Sequence, residues 1–240
     1  MTDADATAVL AVKQVFEQRS MYDAVVAGNY MHHAELIAAL AGWAKEFGRP
    51  LRIVDVGCGD ASLAAKSFAA APIEHYVGVD IAESSIEQSR TTTAAWEGRV
   101  ELICGNLFDA MHGLAAGSAN VVLASYSLHH FSTADKVKLL REIGRVLEPG
   151  GALLWIDAVR GEGESRDEFV DGLAGEIKRD WTLLSVEERQ RAAVHVLTSD
   201  FPETEGWMME ATAAAGFEVV GTLLEGESFR GWTFLRLGGR

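Results

Sequence analysis

The chain of 240 residues is predicted to be an α/β protein. The expected architecture is a doubly wound, mostly parallel seven-stranded sheet with helices on both faces and a C-terminal antiparallel hairpin strand. Three observations carry this prediction. Short β-branched apolar runs alternate with helix-forming stretches across 51–157, the pattern of a parallel sheet whose crossover helices cover both faces. The first run, within IVDVGCGDAS, ends in a glycine turn at Gly57 and Gly59. Two further runs, 218–224 and 232–237, flank EGESFRG, a linker suited to an antiparallel hairpin.

Each element follows from local pattern. Apolar residues recur at helical spacing over 5–20 and 31–47, and Pro50 closes this leader. A strand is expected at 52–56 and a helix at 61–70, followed by a strand at 75–80 and a helix over 84–96. Strands follow at 100–104 and 121–125. A helix over 134–147 is broken by Gly150-Gly151, which starts a strand at 152–157. The charged, aromatic-dotted segment 161–206 reads as helical, and a helix over 203–215 precedes the hairpin. One domain over 1–240 is expected: a helical leader or lid (1–50), a cofactor-binding core (51–160), a helical substrate segment (161–206), and a C-terminal helix and hairpin (207–240).

Composition narrows the function classes. Hydrophobic residues make up 48% of the chain, enough for a sizeable core, but charges or glycines interrupt every run before it reaches membrane-spanning length. The opening MTDADATAVL lacks the basic region of a secretory signal. The two cysteines, Cys58 and Cys104, have neither metal-ligand nor disulfide-framework spacing. A reduced, cytoplasmic enzyme is the expectation. The net charge of −14 comes with no basic stripe, which disfavours nucleic acid as partner. A small-molecule substrate is expected, with the oligomeric state open.

Asp55 is set inside the first apolar run. The glycines after it let a ligand approach bare backbone at the start of a helix, which makes a nucleotide-type site. Ser62 stands where a dinucleotide fingerprint carries its third glycine, against a dinucleotide oxidoreductase. Asp80 ends the second strand, where an acid accepts from a ribose diol, caps the following helix, or does both.

Taken in order, these features resemble the class I S-adenosylmethionine-dependent methyltransferases. Asp55, Gly57 and Gly59 match the first motif, and Asp80 in VGVDIAESSIEQSR matches the second. LICGNLFD supplies Gly105-Asn106 where the family usually has Gly-Asp. NVVLASYSLHHF matches the fourth strand and its loop, and REIGRVLEPGGALLWID the helix, Pro-Gly-Gly turn and fifth strand. The resemblance spans 51–157 and extends more loosely to the C-terminus. It implies a Rossmann-like methyltransferase fold with a final reversed strand and S-adenosyl-L-methionine as cofactor. It places Asp55 and the Gly57–Cys58–Gly59 backbone at the methionine end, with Cys58 itself a small packing residue. Asp80 is assigned the ribose diol, Ile81 one adenine face, and Asn106 and Leu107 the adenine edge and other face. Ser125 and Tyr126 close the site.

Methyl transfer from a sulfonium asks the protein mainly for alignment and water exclusion, with a base only for a hydroxyl or protonated amine acceptor. His130 is the candidate catalytic base, with packing or cofactor positioning as the alternative. Tyr30, His33, Trp181 and His195 are candidate substrate contacts, Trp181 as a ring platform. No histidine shows metal-ligand spacing with a carboxylate, so no metal is expected. The favoured activity is methylation of an O or N atom of a small metabolite. The alternatives are a catalytically silent adenosylmethionine-binding regulatory subunit and a related transferase that uses a modified adenosylmethionine.

Overall fold

The computed structural model describes residues 21–238. The helix expected over 5–20 lies outside them. The described chain opens with α1 (21–27) and α2 (His33–Phe47), and then alternates β1 (Leu51–Val56), α3 (Ser62–Ser67), β2 (Ile73–Asp80), α4 (Glu83–Thr92) and β3 (Val100–Cys104). The alternation continues through α5 (Leu107–Gly113), β4 (Ala119–Ser125), α6 (Thr133–Val146) and β5 (Leu147–Arg160). Two helices, α7 (Arg166–Asp180) and α8 (Val186–Ser199), fill the segment read as helical. They are followed by β6 (Glu203–Thr204), α9 (Glu205–Ala214), β7 (Phe217–Leu224) and β8 (Phe229–Arg236). Among the described residues, no helix is long and apolar enough to cross a membrane.

The strands run in the order β3-β2-β1-β4-β5-β8-β7. The first five are parallel, and β8 inserts antiparallel between β5 and β7. The sheet has eight strands rather than the expected seven, because the two-residue β6 pairs with Val159 and Arg160 at the end of β5. A second difference lies at Pro149-Gly150-Gly151. The strand starts at Leu147 rather than after the glycines, because Gly150 takes φ 76° and the extra residues bulge: Ala119 pairs with Leu147 but Val121 with Ala152. The helix expected over 84–96 stops at Thr92, in a run of three β-branched threonines, and a separate short turn follows at Ala94–Trp96. Helix α5 has no counterpart in the sequence reading; seven residues give too few turns for a periodic signal.

Alternation along the strands divides the core into two layers. Ile53, Tyr76, Val121, Leu123, Leu154 and Ile156 face α2, α3 and α7. Val54, Val56, Val122, Leu153 and Trp155 face α5, α6 and α9. Asp55 shares the first face, so its carboxyl is carried into an apolar layer by strand parity alone. Helices α7 and α8 each start on a capping box, Ser165 with Glu168 and Ser185 with Glu188. Their connection is tied to the chain before α2: Tyr30 stacks on Trp181 with ring centroids 5.0 Å apart, and its hydroxyl accepts from the Leu183 amide at 2.8 Å.

Helix α6 is fastened to β6 by a buried ion pair. Lys136 is 1% exposed, and its Nζ lies 2.9 Å from Glu203 Oε1, which also accepts from Thr133 Oγ1 at 2.7 Å. Nζ donates to the Phe201 carbonyl as well. Removing one partner strands the other charge in the interior. Lys136→Ala is expected to cost about 3–5 kcal/mol in urea unfolding. Lys136→Met combined with Glu203→Gln should recover most of that loss.

Candidate functional site

The site is built on the turn after β1. Gly57 and Gly59 adopt φ 73° and 55°, left-handed values that only glycine takes freely. The Gly57 and Cys58 amides both donate to the Val79 carbonyl, at 2.8 and 3.0 Å, so the turn folds back over the end of β2. A Cβ on Gly57 would stand 2.5 Å from the Ser127 Cβ. Ser127 Oγ donates to the Val56 carbonyl at 2.7 Å, locking the loop after β4 against the same turn. At Gly59 the space where a Cβ would point is open.

Asp80 lies behind this turn. Its Oδ2 accepts from the Gly59 amide at 2.9 Å and its Oδ1 from the Ala82 amide at 2.8 Å. The carboxylate therefore holds the glycine turn and the loop into α4 without capping that helix, whose N-cap is Ala82 and carries no side-chain cap, and each oxygen keeps a further lone pair for a diol. Asp60 accepts from the Ser62 amide and hydroxyl at 2.9 and 2.7 Å, closing the entrance to α3 with a carboxylate.

A cavity of about 330 Å³ opens over the turn. Asp55, Gly57, Cys58, Gly59 and Asp60 form its floor, and Ser84, Ser85 and Gln88 of the α4 region form one wall. Tyr22, Met31, His33, Leu63, Leu123, Ser125 and Tyr126 form the opposite side. Tyr126 holds φ 52° at the end of β4, a strained value for a non-glycine residue, and its hydroxyl donates to the Met31 carbonyl. His33 packs between Tyr22 and Tyr126, at centroid distances of 6.0 and 5.5 Å. Two buried polar atoms of the lining have no hydrogen-bond partner, His33 Nδ1 and Ser125 Oγ.

The electrostatics are one-sided. Asp55 and Asp60 line the cavity, with no lysine or arginine among the lining residues. Burial pushes the Asp55 carboxyl up to about 7, against the opposing hydrogen bond from the Tyr76 hydroxyl at 2.8 Å. Burial lowers His33 to about 4, assisted by Lys66 and His32, so its imidazole is neutral in ordinary buffers. The Cys58 thiol is pushed up by burial and by Asp55 and Asp80, which rules it out as a thiolate nucleophile. A phosphate would meet two carboxylates here and no cation, whereas an ammonium or sulfonium group meets complementary charge.

Of the residues singled out in the sequence, Asp55, Gly57, Cys58, Gly59, Ser125, Tyr126 and His33 line the cavity. The others do not. Ile81 is 78% exposed beside the turn, and Leu107 is buried against the opposite face of the sheet. Asn106 caps α5, its amide oxygen accepting from the Phe108 amide at 2.8 Å. Tyr30 and Trp181 are spent on each other, and Trp181 is only 5% exposed, so it offers no free ring face to a substrate. His130 and His195 stand away from the cavity, beside Asp200 at 3.3 and 3.8 Å. The sequence reading missed Tyr22, Met31, Asp60, Leu63, Leu123 and the Ser84–Ser85–Gln88 face. Asp60 adjoins the glycine turn, and Ser84 and Gln88 share a helical face at i, i+4, so those three carried a local signal.

Residues 53–151 match the methyltransferase domain family. The chain is 26% identical over 179 residues to the carboxy-S-adenosyl-L-methionine synthase of Actinobacillus succinogenes, covering 72% of this chain and 73% of that protein. It superposes on an O-methyltransferase family protein from Burkholderia thailandensis with TM-score 0.64 and 18% identity. That match covers 91% of this chain but only 59% of the other, so the present chain spans well under two thirds of its length. It also superposes on magnesium protoporphyrin IX methyltransferase from Synechocystis PCC 6803, solved with bound SAH, with TM-score 0.59 and 14% identity over 86% of this chain and 84% of that one.

Two outcomes follow from the turn and its acid. Gly57→Ala combines a left-handed φ with the Ser127 contact, and should lower stability by about 1–3 kcal/mol in chemical denaturation while emptying the cavity of ligand affinity. Asp55 binds its proton more tightly folded than unfolded, so its contribution to stability declines as pH rises from about 4 toward 7. Asp55→Asn should therefore melt above the native protein at pH 8, by up to about 4 kcal/mol, with the gap closing toward pH 5.

Proposed function

We propose a specific activity for this chain, which is a member of the class I S-adenosylmethionine-dependent methyltransferases and takes S-adenosylmethionine as its cofactor: transfer of the methyl group to an O or N atom of a small acceptor that is neutral or cationic. The observation that carries the proposal is the charge pattern of the cavity over Gly57–Gly59, with two carboxylates, no lysine or arginine, and one neutral histidine. The cofactor supplies a methyl group on a cationic sulfur that departs as a neutral thioether.

Each residue has a physical task in this reading. Asp55, ionised, receives the ammonium of the methionine end. The open face of Gly59 admits the cofactor to the backbone, and Asp80, which holds that turn, offers its remaining lone pairs to the ribose diol. The aromatic faces of Tyr22 and Tyr126 suit a sulfonium. Met31, Leu63 and Leu123 exclude water around the transfer path. His33 Nδ1, a buried ring nitrogen without a hydrogen-bond partner, accepts the proton of an attacking hydroxyl or amine when the ring's own hydrogen is on Nε2. Its depressed basicity keeps it unprotonated and ready above about pH 5. Ser125 Oγ, also unpartnered, orients the acceptor.

A second reading draws on the name of the relatives, carboxy-S-adenosyl-L-methionine synthase, in which the transferred or bound cofactor bears an extra carboxyl group. A carboxylate held in this cavity would face Asp55 and Asp60 with no cation among the described lining residues. Methyl transfer to an uncharged or positive acceptor is the better fit.

The deciding experiment incubates the protein with methyl-labelled S-adenosylmethionine and pooled small hydroxyl, amine and carboxylic-acid metabolites, the last as the carboxyl source that the second reading requires. A methyl mass gain in an acceptor supports the proposal, whereas a carboxylated cofactor in the mass spectrum without acceptor gain supports the second reading. His33→Ala is expected to lower kcat at least tenfold, within the usual range for a lost base, and leave S-adenosylhomocysteine affinity within threefold of native. Calorimetry should show that affinity falling about tenfold between pH 8 and pH 6 as Asp55 takes up its proton near 7. Asp55→Asn should abolish that dependence.

A further inference from the structure

We propose that His129, His130 and Asp200 form a binding site for one zinc(II) ion, separate from the cavity over Gly57–Gly59. The short turn Leu128–His130 after β4 presents two adjacent histidines. Asp200, which ends α8, is brought beside them because the Phe201 amide donates to the His129 carbonyl at 2.6 Å. One ligand atom from each of the three residues lies within 4.8 Å of the others. Asp200 Oδ1 is 3.3 Å from His130 Nδ1 and 3.7 Å from His129 Nε2. His195 Nε2 lies 3.8 Å from the same oxygen on the solvent side, placed to become a fourth ligand. Ligands at tetrahedral zinc bond lengths stand about 3.4 Å apart, so the three distances to Asp200 Oδ1 match that spacing to within a few tenths of an ångström, and the two imidazoles of the Leu128–His130 turn close the rest from within 4.8 Å.

Two features point to a cation. Asp200 is 4% exposed, yet its Oδ1 has no hydrogen-bond partner. A buried carboxylate oxygen aimed at two imidazoles and satisfied by neither is costly unless an ion occupies the gap. The second feature is the orientation of the His129 ring. Its Nδ1 is committed to Asp157 Oδ1, and Asp157 Oδ2 in turn accepts from Trp155 Nε1 at 3.0 Å. Nε2 is then the ring nitrogen left to face the unpartnered Asp200 oxygen, 3.7 Å away. A carboxylate behind a histidine is the arrangement that orients imidazole ligands toward a metal. The mixed nitrogen and oxygen donor set suits zinc, whereas magnesium and calcium favour oxygen alone. The His130 and His195 side chains are 40% and 58% exposed, so an ion reaches the site from solvent. Zinc here would pin the end of α8 to the β4 and β5 ends of the sheet.

The test uses the full chain stripped with a chelator and titrated calorimetrically with zinc chloride, and then with cobalt(II). One equivalent of zinc is expected, with a raised melting temperature, and cobalt should give the intense visible bands of a four-coordinate ion. His130→Ala, at a half-exposed position, should weaken zinc affinity at least tenfold while its metal-free melting temperature stays near native. His195→Ala should weaken binding less. No zinc uptake by the stripped native protein would overturn the proposal. So would equal uptake by native protein and His130→Ala, which would place the ion on other histidines. These readouts are independent of methyl transfer.

Discussion

Gly57 and Ser127 share a space that holds only one side chain. That exclusion restricts the position to glycine, which permits the left-handed turn after β1, and most of the site is hung from it. With no Cβ in the way, Ser127 reaches the Val56 carbonyl, and the Gly57 and Cys58 amides turn onto Val79. Asp80 then finds the Gly59 amide, and Ser89 of α4 donates to the Gly59 carbonyl at 2.8 Å. The ends of β1 and β2, helix α4 and the loop after β4 thus meet at one short turn, with the Gly57, Cys58 and Gly59 amides all bonded. Tyr126 adjoins Ser127, so the strained backbone that aims its ring across the cavity is held by the same knot.

The charge of the cavity is a second consequence of strand parity. Asp55 points into the apolar layer because its neighbours Val54 and Val56 point the other way. Burial there makes ionisation costly, and a cationic ligand reverses that cost. In the proposed reaction the sulfonium charge disappears on transfer, so attraction to the two carboxylates weakens once the methyl group has left. The site would then hold reactant more tightly than product without any moving part.

Legibility in the sequence tracked how local each signal was. The glycine turn, Asp55, Asp80 and the five parallel strands were readable because their cues lie within a few residues of one another. The C-terminal hairpin was readable for the same reason. Asp80 was given a ribose role and a helix-capping role; its carboxylate bonds the Gly59 and Ala82 amides ahead of α4, whose N-cap Ala82 carries no side-chain cap. Trp181 illustrates the opposite case. Nothing near it in sequence indicates that Tyr30, some 150 residues away, covers its face. The same limit hid the joining of Asp200 to His129 and His130, since that pairing depends on where α8 ends. Strand β6 escaped because two residues carry no periodicity at all, and its pairing depends on the buried Lys136–Glu203 contact that places it.

The insertion of β8 between β5 and β7 bears on how the chain assembles. Ala152 pairs with Leu235 and Ala158 with Phe229, so the fifth strand keeps one side unpaired until the chain beyond residue 228 has emerged. Trp155 and Ile156 then lie on an open sheet edge while residues 161–228 are being made, a template for pairing with other chains. Closing that edge joins segments far apart in sequence, the kind of late, entropically slow event that governs folding speed. During biogenesis the cofactor cradle can be nearly complete while the sheet still lacks its seal, and the nascent protein is then most exposed to aggregation and to chaperone capture.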